Sequence, residues 1–460
     1  MSDFRLIPSI DQLRQRPSVR ALELRFGGAA VISALRSGAD AVRQSIAAGD
    51  ASQSRDQDVA EHIEAMATAS LNEQFAPTLH PVINATGVIV HTNLGRAPLS
   101  ASAIARVAAV ASGYSTLEYD VARGERGRRD VHAEALLCRL TGAESAIVVN
   151  NNAAATMLVL AALAAGREVI VSRGELVEIG GGFRVPDVMK QSGAMLREVG
   201  TTNKTRAADY AAAIGERTAL LLRVHPSNFR IEGFTERPAL EELVELGRRF
   251  AVPVAEDLGS GYLRQANLKA LAPPEPAVEE SIAAGVDVCC FSGDKLLGGP
   301  QSGIVVGRRA IVERLRRHPL MRALRVDKMT YAALEATLAE YAAGRAAVMV
   351  PVQRMLSLSA GEIRSRAEAI ATAIGQMEGW RAEIVAGTSA VGGGSAPGVE
   401  LPTSLVAIEQ AGLTPDALEE RLRRLTPPVV ARIEQDRVLL DVRTVFPDQD
   451  RQLLGLLEEL

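Results

Sequence analysis

Short runs of apolar, often β-branched residues alternate with helix-like segments along the middle of the chain, and this alternation constrains the fold more than any other feature. Because each run is apolar throughout rather than at alternate positions, both faces of the resulting strand should be covered. Strands separated by helices favour parallel pairing, so the pattern predicts an α/β fold with a mainly parallel sheet. The runs are ESAIVVN (Glu144–Asn150), EVIVS (Glu168–Ser172), TALLLRV (Thr218–Val224), VPVAED (Val252–Asp257) and DVCCFS (Asp287–Ser292).

The segments on either side of these runs have a different texture. Residues 1–75 read as short helices rich in Ala, Arg, Gln and Ser, and the two prolines of APTLHP (Ala76–Pro81) end this region. A long helical pattern near Thr330–Gly344 leads out of the middle part. A helix at Ala360–Met377, a glycine-rich loop at Gly387–Gly398, strands at SLVAI and RVLLDV and a terminal helix then follow.

This organisation predicts three domains. They are a helical N-terminal domain at residues 1–75, an α/β core at 82–345 and a small α+β C-terminal domain at 346–460. The composition agrees with a globular protein, since 47% of the 460 residues are apolar and 23% are charged. Apolar stretches such as MLVLAALAA are much shorter than the ~20 residues that a membrane span needs. The N-terminus lacks the apolar segment of a secretory signal, so we expect a cytoplasmic protein without membrane contact.

Charge and cysteine content narrow the possible functions. The net charge of −4 does not attract nucleic acid to the molecule as a whole, and three cysteines form neither a disulfide framework nor a CxxC metal pair. Two local runs are basic: Arg5–Arg43 has seven arginines against three acidic residues, and Arg308–Lys328 has eight basic residues against two acidic ones. Such runs are more often solvated helix faces than binding sites, so they are candidates only.

Polar residues follow three of the predicted strands, where ligands bind in an α/β sheet. The first strand leads into NNNAAAT (Asn150–Thr156), whose small and amide side chains open a helix and expose backbone N–H groups that suit a phosphate. From this stretch we predict that Asn151, Asn152 and Ala153 bind the phosphate of a cofactor. An N-terminal asparagine cluster is also the usual signature of a helix cap.

The other two strand ends supply a carboxylate and an amine. Asp257 ends VPVAED, whereas Ser292 and Lys295 lie in FSGDKLLGGPQSG (Phe291–Gly303). A phosphate seat, an acid and an amine together are what pyridoxal 5'-phosphate requires: Lys295 holds its aldehyde as a Schiff base, and Asp257 keeps its pyridine nitrogen protonated. The hydroxyl of Ser292 can reach the phosphate. Burial should lower the pKa of the amine toward its nucleophilic form.

Other cofactor chemistries do not suit this stretch. A Walker A loop needs Gly-Lys-Ser/Thr, whereas Lys295 follows Asp294 and precedes a leucine. The six histidines are scattered, which argues against a metal site. Gly298 and Gly299 are predicted to let the backbone pass closely beside the bound cofactor. No ring that stacks on the cofactor can be assigned, because the loop SRGELVEIGGGFR offers only Phe183.

The same residues, in this order, resemble the fold-type I pyridoxal-phosphate enzymes, which have an aspartate-aminotransferase-like architecture. Longer motifs along the chain are VINATGVIVHTNLGRAPLS, EYDVARGERGRRD, SGDKLLGGPQSGIVVG, RALRVDKMT, GGGSAPGVELP and PPVVARIEQDRVLLDVRTV. These motifs look like those of the bacterial selenocysteine synthase family, the L-seryl-tRNA(Sec) selenium transferases. The similarity covers nearly the whole chain, and LIPSIDQLRQRP at its start looks like the family's tRNA-binding domain.

The resemblance implies conversion of seryl-tRNA(Sec) to selenocysteinyl-tRNA(Sec). Lys295 would bind the cofactor and remove the α-proton, and loss of the hydroxyl would leave a cofactor-bound aminoacrylyl group to which selenophosphate donates selenium. Arg96, Arg129, Arg322 and Arg325 match family positions on the selenophosphate side of the pocket, and paired guanidinium donors suit a dianionic phosphate. Alternatively, some of them only pair with nearby acidic residues. The family also implies a homodecamer, a pentamer of dimers.

Two other functions are compatible with parts of this pattern. A small-molecule pyridoxal-phosphate lyase that carries out β-elimination would use Lys295 and Asp257 in the same way, although it would need no arginine-bearing helical domain. A tRNA-binding protein without catalytic activity could keep an old cofactor fold. The chain keeps the complete set of lysine, acid and predicted phosphate site, which argues against such a loss of catalytic activity.

Overall fold

The structure is a computed structural model that describes residues 7–48, 59–179, 182–264 and 275–460. The chain divides into two compact units, residues 1–81 and 82–460. Within the described ranges, no helix is long and apolar enough to cross a membrane.

The described part of the first unit is helical, as predicted. Apolar side chains from separate helices, such as Leu13, Leu35 and Ile63, are buried together. Gly27, with φ of 86°, ends one helix and precedes the next, because this left-handed conformation suits glycine. The prediction of short helices is wrong for the third, which has 20 residues. The helices are α1 (Ile10–Gln15), α2 (Pro17–Phe26), α3 (Gly28–Ala47) and α4 (Val59–Gln74).

The second unit contains strands and helices in alternation. Its strands are β1 (Ile83–Asn84), β2 (Val88–Val90), β3 (Tyr119–Asp120), β4 (Glu125–Arg126), β5 (Ser145–Val149), β6 (Glu168–Ser172), β7 (Glu178–Ile179), β8 (Phe183–Arg184), β9 (Met195–Val199), β10 (Thr218–Val224), β11 (Val254–Gly259), β12 (Val288–Ser292), β13 (Gly303–Gly307), β14 (Trp380–Gly392), β15 (Glu400–Gln410), β16 (Val429–Val430), β17 (Arg432–Glu434) and β18 (Arg437–Asp441). Its helices are α5 (Ala101–Ala111), α6 (Val131–Thr141), α7 (Asn152–Ala164), α8 (Val185–Gln191), α9 (Ala207–Ala213), α10 (Leu240–Phe250), α11 (Val278–Ala284), α12 (Arg309–Arg317), α13 (Leu320–Leu324), α14 (Lys328–Ala342), α15 (Ala346–Met349), α16 (Pro351–Ser357), α17 (Ala360–Gly375), α18 (Pro415–Arg423) and α19 (Asp450–Glu458).

The largest sheet has seven strands in the order β5-β13-β12-β11-β10-β6-β9. Its strands are parallel except β13, which is antiparallel to both of its neighbours. All five predicted runs form strands of this sheet, which confirms the α/β prediction. The sequence analysis missed β9 and β13. The edge strand β9 is mostly exposed, so MLREV lacks the continuous apolar pattern of the others.

Helices cover both faces of this sheet, because successive residues of a strand point to opposite sides. In β6, Ile170 belongs to one apolar cluster, whereas Val169 and Val171 belong to the other. The first cluster includes residues of α6, α10, α11 and α14, and the second includes residues of α7, α8 and α12. Both faces are therefore buried, as the continuous apolar runs predicted.

A second sheet has the strand order β17-β18-β15-β14-β2, and α17, α18 and α19 contribute to its apolar core. The loop predicted at Gly387–Gly398 is shorter in the structure. Pairing of β14 with β15 continues to Ala390 and Glu400, and Gly392 also pairs with Val90 of β2. Strand β1 pairs in parallel with β16. Thus β1 and β2 pair with strands that lie near the end of the chain.

Candidate active site

The ends of three neighbouring parallel strands form the base of the candidate site. Asp257 of β11 pairs with Val224 of β10 on one side and with Cys290 of β12 on the other. Lys295 lies just beyond β12. Helix α7 starts directly after β5, and the first residue of β13, Gly303, passes so close to this turn that a Cβ would collide with the Asn151 backbone. The sheet topology therefore brings the predicted acid, amine and helix N-terminus to one edge.

Asp257 is buried and accepts two side-chain hydrogen bonds from α7. Its Oδ1 accepts from Asn152 Nδ2 at 2.7 Å, and its Oδ2 accepts from Thr156 Oγ1 at 3.1 Å. Burial raises the pKa of Asp257, while these hydrogen bonds and the nearby charge of Lys295 act in the opposite direction. A buried carboxyl group of this kind is stabilised as an anion when a cation lies beside it.

Lys295 is also buried, with 6% of its surface exposed. Burial lowers the pKa of its amine, and the positive charge of Arg96 acts in the same direction. The carboxylates of Asp257, Asp294 and Glu275 oppose this shift. The neutral, nucleophilic form of the amine is therefore more populated near neutral pH than it would be in water, as the sequence analysis expected.

The turn after Lys295 is fixed by contacts within the protein. Leu296 N donates to Ser260 O at 3.0 Å, and Gly299 N donates to Gly293 O at 2.8 Å. Gly298 has a φ of 71°, and a Cβ there would collide with Val350. The close neighbours of these glycines in the structure are groups of the chain itself, so they fix the backbone that carries Lys295. Their close approach to the cofactor remains a prediction.

The start of α7 has the geometry of a capped helix. The Oδ1 of Asn151 accepts from Ala154 N at 2.9 Å, so this side chain is the helix cap. The adjacent Ala153 lies in the first turn, where backbone N–H groups point away from the helix. Ser292 ends β12 and is buried. Phosphate binding by these residues and Asn152 remains a prediction.

Arg96 contacts the residue that precedes the lysine. Its Nη1 donates to Asp294 Oδ2 at 2.9 Å, and 34% of its side chain is exposed. Its backbone φ of 63° is rare for a residue with a Cβ, and its N–H donates to His91 O at 2.9 Å. The backbone and the Asp294 contact hold the guanidinium beside Lys295, as the charge effect on the amine indicates.

Two of the other predicted arginines meet at Glu118. Arg129 Nε donates to Glu118 Oε1 at 2.8 Å, its Nη2 donates to the same oxygen, and its Nη1 donates to Val326 O at 2.8 Å. Arg325 Nη1 lies 3.5 Å from Glu118 Oε1. The guanidinium of Arg129 therefore contacts protein groups, as in the alternative that the sequence analysis kept open, and its binding of the selenium donor remains a prediction. Arg325 has one long contact there.

Arg322 differs from these arginines because it is exposed in α13 and forms no ion pair with any residue that the structure describes. Its guanidinium can therefore bind an anion without giving up a protein partner. Within the Arg308–Lys328 run, by contrast, Arg308 pairs with Asp287, and Arg316 pairs with Asp130. Fewer cations of this run are therefore available to a ligand than its net charge suggests, because acidic residues from other segments pair with some of them.

The sequence analysis missed three residues of this region. Thr156 bonds Asp257 and lies one helical turn after Asn152, a spacing that could have revealed it. His225 follows β10, and its Nε2 lies 3.6 Å from Glu275 Oε2. Glu275 comes from a proline-rich stretch without strand or helix pattern, so no signal marked it. The side chain of Phe183 lies outside the described part of the structure.

Whether these residues fit pyridoxal phosphate can be tested on their unused polar atoms. Several buried atoms have no hydrogen-bond partner within the described part of the chain: Asn152 Oδ1, His225 Nε2, Ser260 Oγ and Ser395 Oγ. Among the residues that the structure describes, no cation is bonded to the buried acid Asp257, and Lys295 is a buried amine. Together they offer what a molecule with an aldehyde, a basic ring nitrogen and several polar substituents needs, so the residues fit the cofactor.

A sheet with a single antiparallel strand, a buried lysine beyond one strand and an acid on the next define a pyridoxal-phosphate enzyme of fold type I. The structure of D-glucosaminate-6-phosphate ammonia-lyase matches with a TM-score of 0.58 and 22% identity, covering 85% of this chain and 97% of the other, and shows the same fold. The L-seryl-tRNA selenium transferase family model matches residues 82–446. The chain belongs to this family.

Relatives named L-seryl-tRNA(Sec) selenium transferase align over most of their length. The protein of Geobacter sulfurreducens is 49% identical over 464 residues, which is 100% of both chains. That of Moorella thermoacetica is 50% identical over 98% of this chain and 95% of its own. That of Aquifex aeolicus is 47% identical over 84% of this chain and 85% of its own.

Proposed function

We propose that this chain converts seryl-tRNA(Sec) to selenocysteinyl-tRNA(Sec), with selenophosphate as the selenium donor. The observation that carries the proposal is the buried Lys295 beside the Asp257–Asn152 pair, in a chain of this family. The small-molecule lyase is the weaker candidate, because relatives with the transferase name align with residues 1–81 as well as with the rest. Since aminoacyl-tRNA serves translation, we place the reaction in the cytoplasm.

Lys295, Asp257 and the start of α7 would hold the cofactor. When bound, pyridoxal phosphate supplies an electron sink that stabilises negative charge at the α-carbon of an amino acid attached to it. Asp257 would hold the ring nitrogen, and Asn152 and Thr156 keep its carboxylate in place. The N–H groups of Asn152 and Ala153 and the hydroxyl of Ser292 would bind the phosphate. Asn151 would contribute by capping the helix.

Lys295 also acts as a base in this proposal. Its Nζ accepts the α-proton of the seryl group, for which the lowered pKa of the amine is favourable. Carboxylates surround the amine of Lys295, because Asp294 directly precedes the lysine and Asp257 lies on the neighbouring strand. These groups can stabilise the ammonium form after the proton has been taken up.

Three arginines would bind the selenium donor. Arg322 is exposed without an acidic partner in the described chain, Arg96 is one-third exposed, and Arg325 has one long contact with Glu118. Planar guanidinium groups bind phosphate oxygens in pairs, which suits a dianion. Arg129 would not contact the donor itself but would stabilise the segment that carries two of these arginines, through its contacts with Glu118 and the backbone of Val326.

The N-terminal helices would bind the tRNA. Arg20, Arg25 and Arg36 are exposed, and none pairs with an acidic residue of the described chain. Arg14 and Arg43, in contrast, pair with Glu23 and Asp40. We therefore propose that residues 1–75 form the tRNA-binding domain and that residues 82–345 form the domain that binds the cofactor. Residues 346–460 would form the small α+β domain. We further propose that ten copies assemble as a pentamer of dimers, the arrangement expected for the family.

The test compares serylated tRNA(Sec), ordinary seryl-tRNA and free serine, each with selenophosphate. We expect selenocysteinyl-tRNA only from the first, and no product after Lys295→Ala. Borohydride reduction followed by peptide mapping should place the cofactor on the Lys295 peptide. Equal turnover of free serine would support the lyase alternative, and a cofactor adduct on another peptide would contradict the assignment of Lys295. Size measurement in solution tests the decamer separately.

A further inference from the structure

The loop between β14 and β15, residues 393–399, reaches the amine of Lys295 from the second sheet. A Cβ built on Gly394 would lie 3.9 Å from Lys295 Nζ, 3.8 Å from Ser227 Oγ and 3.6 Å from Asn228 Cβ. These are ordinary contact distances, so the loop backbone forms one wall beside the lysine. We call residues 393–399 the glycine loop.

The glycine loop has an unusual backbone. Gly392, which ends β14, has a φ of 77°, and Gly393 and Gly394 of the loop have φ values of 63° and 67°. A Cβ at Gly392 or Gly393 would collide with β2. Ala396 has a φ of 47°, which is unfavourable for a residue with a Cβ. Strain of this kind persists only where other contacts hold the residue in place.

Glu275 supplies such a contact. Its Oε2 accepts a hydrogen bond from Ala396 N at 2.9 Å, and its side chain has 0% exposure. The same oxygen lies 3.6 Å from His225 Nε2, so His225 and the strained backbone meet at one carboxylate. The other oxygen, Oε1, has no hydrogen-bond partner in the described chain. A buried carboxylate that binds a backbone N–H in this way fixes that segment firmly.

We propose that Glu275 is a positioning residue that holds the glycine loop against Lys295 and so fixes the orientation of the reactive amine. His225 lies between this carboxylate and the Asp257 strand, since His225 N donates to Asp257 O at 2.9 Å. Glu275 thereby connects the second sheet to the edge of the first at which the lysine acts. This inference concerns the site of the proposed function, and only its kinetic test depends on that function being correct.

Hydrogen exchange and amine labelling of the cofactor-free protein test the proposal independently of the reaction. In Glu275→Ala, we expect the Ala396 amide to exchange roughly 10- to 100-fold faster, because a hydrogen bond to a charged acceptor is lost. Reductive methylation of Lys295 should also become at least about threefold faster relative to Lys190 in the same digest. Glu275→Gln keeps an acceptor oxygen and should restore most of both values. Exposed Glu400→Gln, at the end of the same loop, is the control.

A second variant tests the contact between loop and amine if Glu275→Ala does not fold. Gly394→Ala forces a Cβ into a left-handed position beside Lys295, and we expect the loop to shift and labelling of Lys295 to rise about three- to tenfold. Gly379→Ala is the matched control, since its φ is 78° and its Cβ would also have room, with Ala411 Cβ at 3.9 Å. Unchanged labelling in Gly394→Ala would overturn the proposal.

The catalytic readout separates positioning from general stability. In the complete enzyme, Glu275→Ala should lower kcat at least about tenfold while KM for seryl-tRNA changes less than about threefold, and Glu275→Gln should recover kcat. Equal losses in both variants would contradict positioning through the Ala396 contact. If the labelling result holds but the wild-type enzyme makes no selenocysteinyl-tRNA, the proposed function is wrong, whereas the contact between the glycine loop and Lys295 is still supported.

Discussion

The side-chain amide of Asn152 donates to Asp257 at 2.7 Å, and this contact joins the first turn of α7 to the acid of β11. Thr156, one turn further along the helix, bonds the second carboxylate oxygen. The start of α7, where we predict that the phosphate binds, and the acid therefore keep a fixed distance from each other, which a rigid planar cofactor requires.

Replacing Asp257 by alanine should leave the cofactor bound through Lys295 and lower turnover at least about 100-fold, because the ring nitrogen loses its charge partner. Absorption spectra measure cofactor binding, and single-turnover assays measure the rate. Thr156→Val is the graded control, since it removes one neutral donor and should cost about fivefold to tenfold. Turnover of Asp257→Ala close to that of the wild type would exclude this role for the acid.

The lowered pKa of Lys295 predicts a pH dependence of stability in the cofactor-free protein. The folded chain binds the amine proton less tightly than the unfolded chain does, so the unfolded state holds more protons between the lowered pKa and the ordinary lysine pKa of 10.5. In that window the free energy of unfolding should rise with pH. Urea titrations of the wild type and Lys295→Met isolate this effect, which should disappear in the variant. A difference between the two proteins that is independent of pH would contradict it.

Arg322 and Arg129 should respond differently to replacement. For Arg322→Ala we expect the KM for selenophosphate to rise about 10- to 100-fold, with the free energy of unfolding within about 0.5 kcal/mol of the wild type. Arg129→Ala should lose about 1–3 kcal/mol of stability, because Val326 O loses its donor and Glu118 keeps only its contacts with Arg126 and Arg325. Kinetics and urea denaturation on both variants provide the comparison. Similar KM effects with no loss of stability in Arg129→Ala would assign that arginine to the donor instead.

The exposed arginines of the first unit should contribute to tRNA affinity. Replacing Arg20, Arg25 and Arg36 together should weaken tRNA binding and reduce the slope of log affinity against log salt concentration by about 2–3. Each tRNA phosphate that no longer contacts an arginine keeps its counterion, so fewer counterions are released on binding. The double variant Arg14→Ala and Arg43→Ala, whose side chains pair with acids, is the control and should have a smaller effect. If the slope is the same in both variants, the tRNA phosphates bind elsewhere.

The main sheet and the lysine could be predicted from sequence because they depend on local signals. Continuous apolar runs identified five of the seven strands, and the position of Lys295 after a strand, with Asp257 ending another, placed both at one sheet edge. The edge strand β9 could not be found, since its exposed residues lack the apolar pattern of buried strands. Antiparallel β13 begins at Gly303, the last residue of the glycine-rich stretch around Lys295, for which the sequence analysis predicted no strand.

Contacts between residues distant in sequence explain the rest. Whether an arginine is free or paired depends on which acids fold next to it, and Glu118 lies more than 200 residues before Arg325. The same holds for Glu275 and the glycine loop, which are 121 residues apart at their hydrogen bond. Neither segment has a local pattern that predicts the other. Such contacts follow from topology and not from periodicity.

The pairing of β1 with β16 and of β2 with β14 has a consequence for biosynthesis. The ribosome makes β1 and β2 before their partners, which emerge roughly 300 to 350 residues later. Contacts this distant form late, because a long chain segment must be ordered first. Until then, these short apolar strands have exposed edges in the nascent chain. A polypeptide that stalls before Trp380 would therefore expose segments on which chaperones and proteases can act.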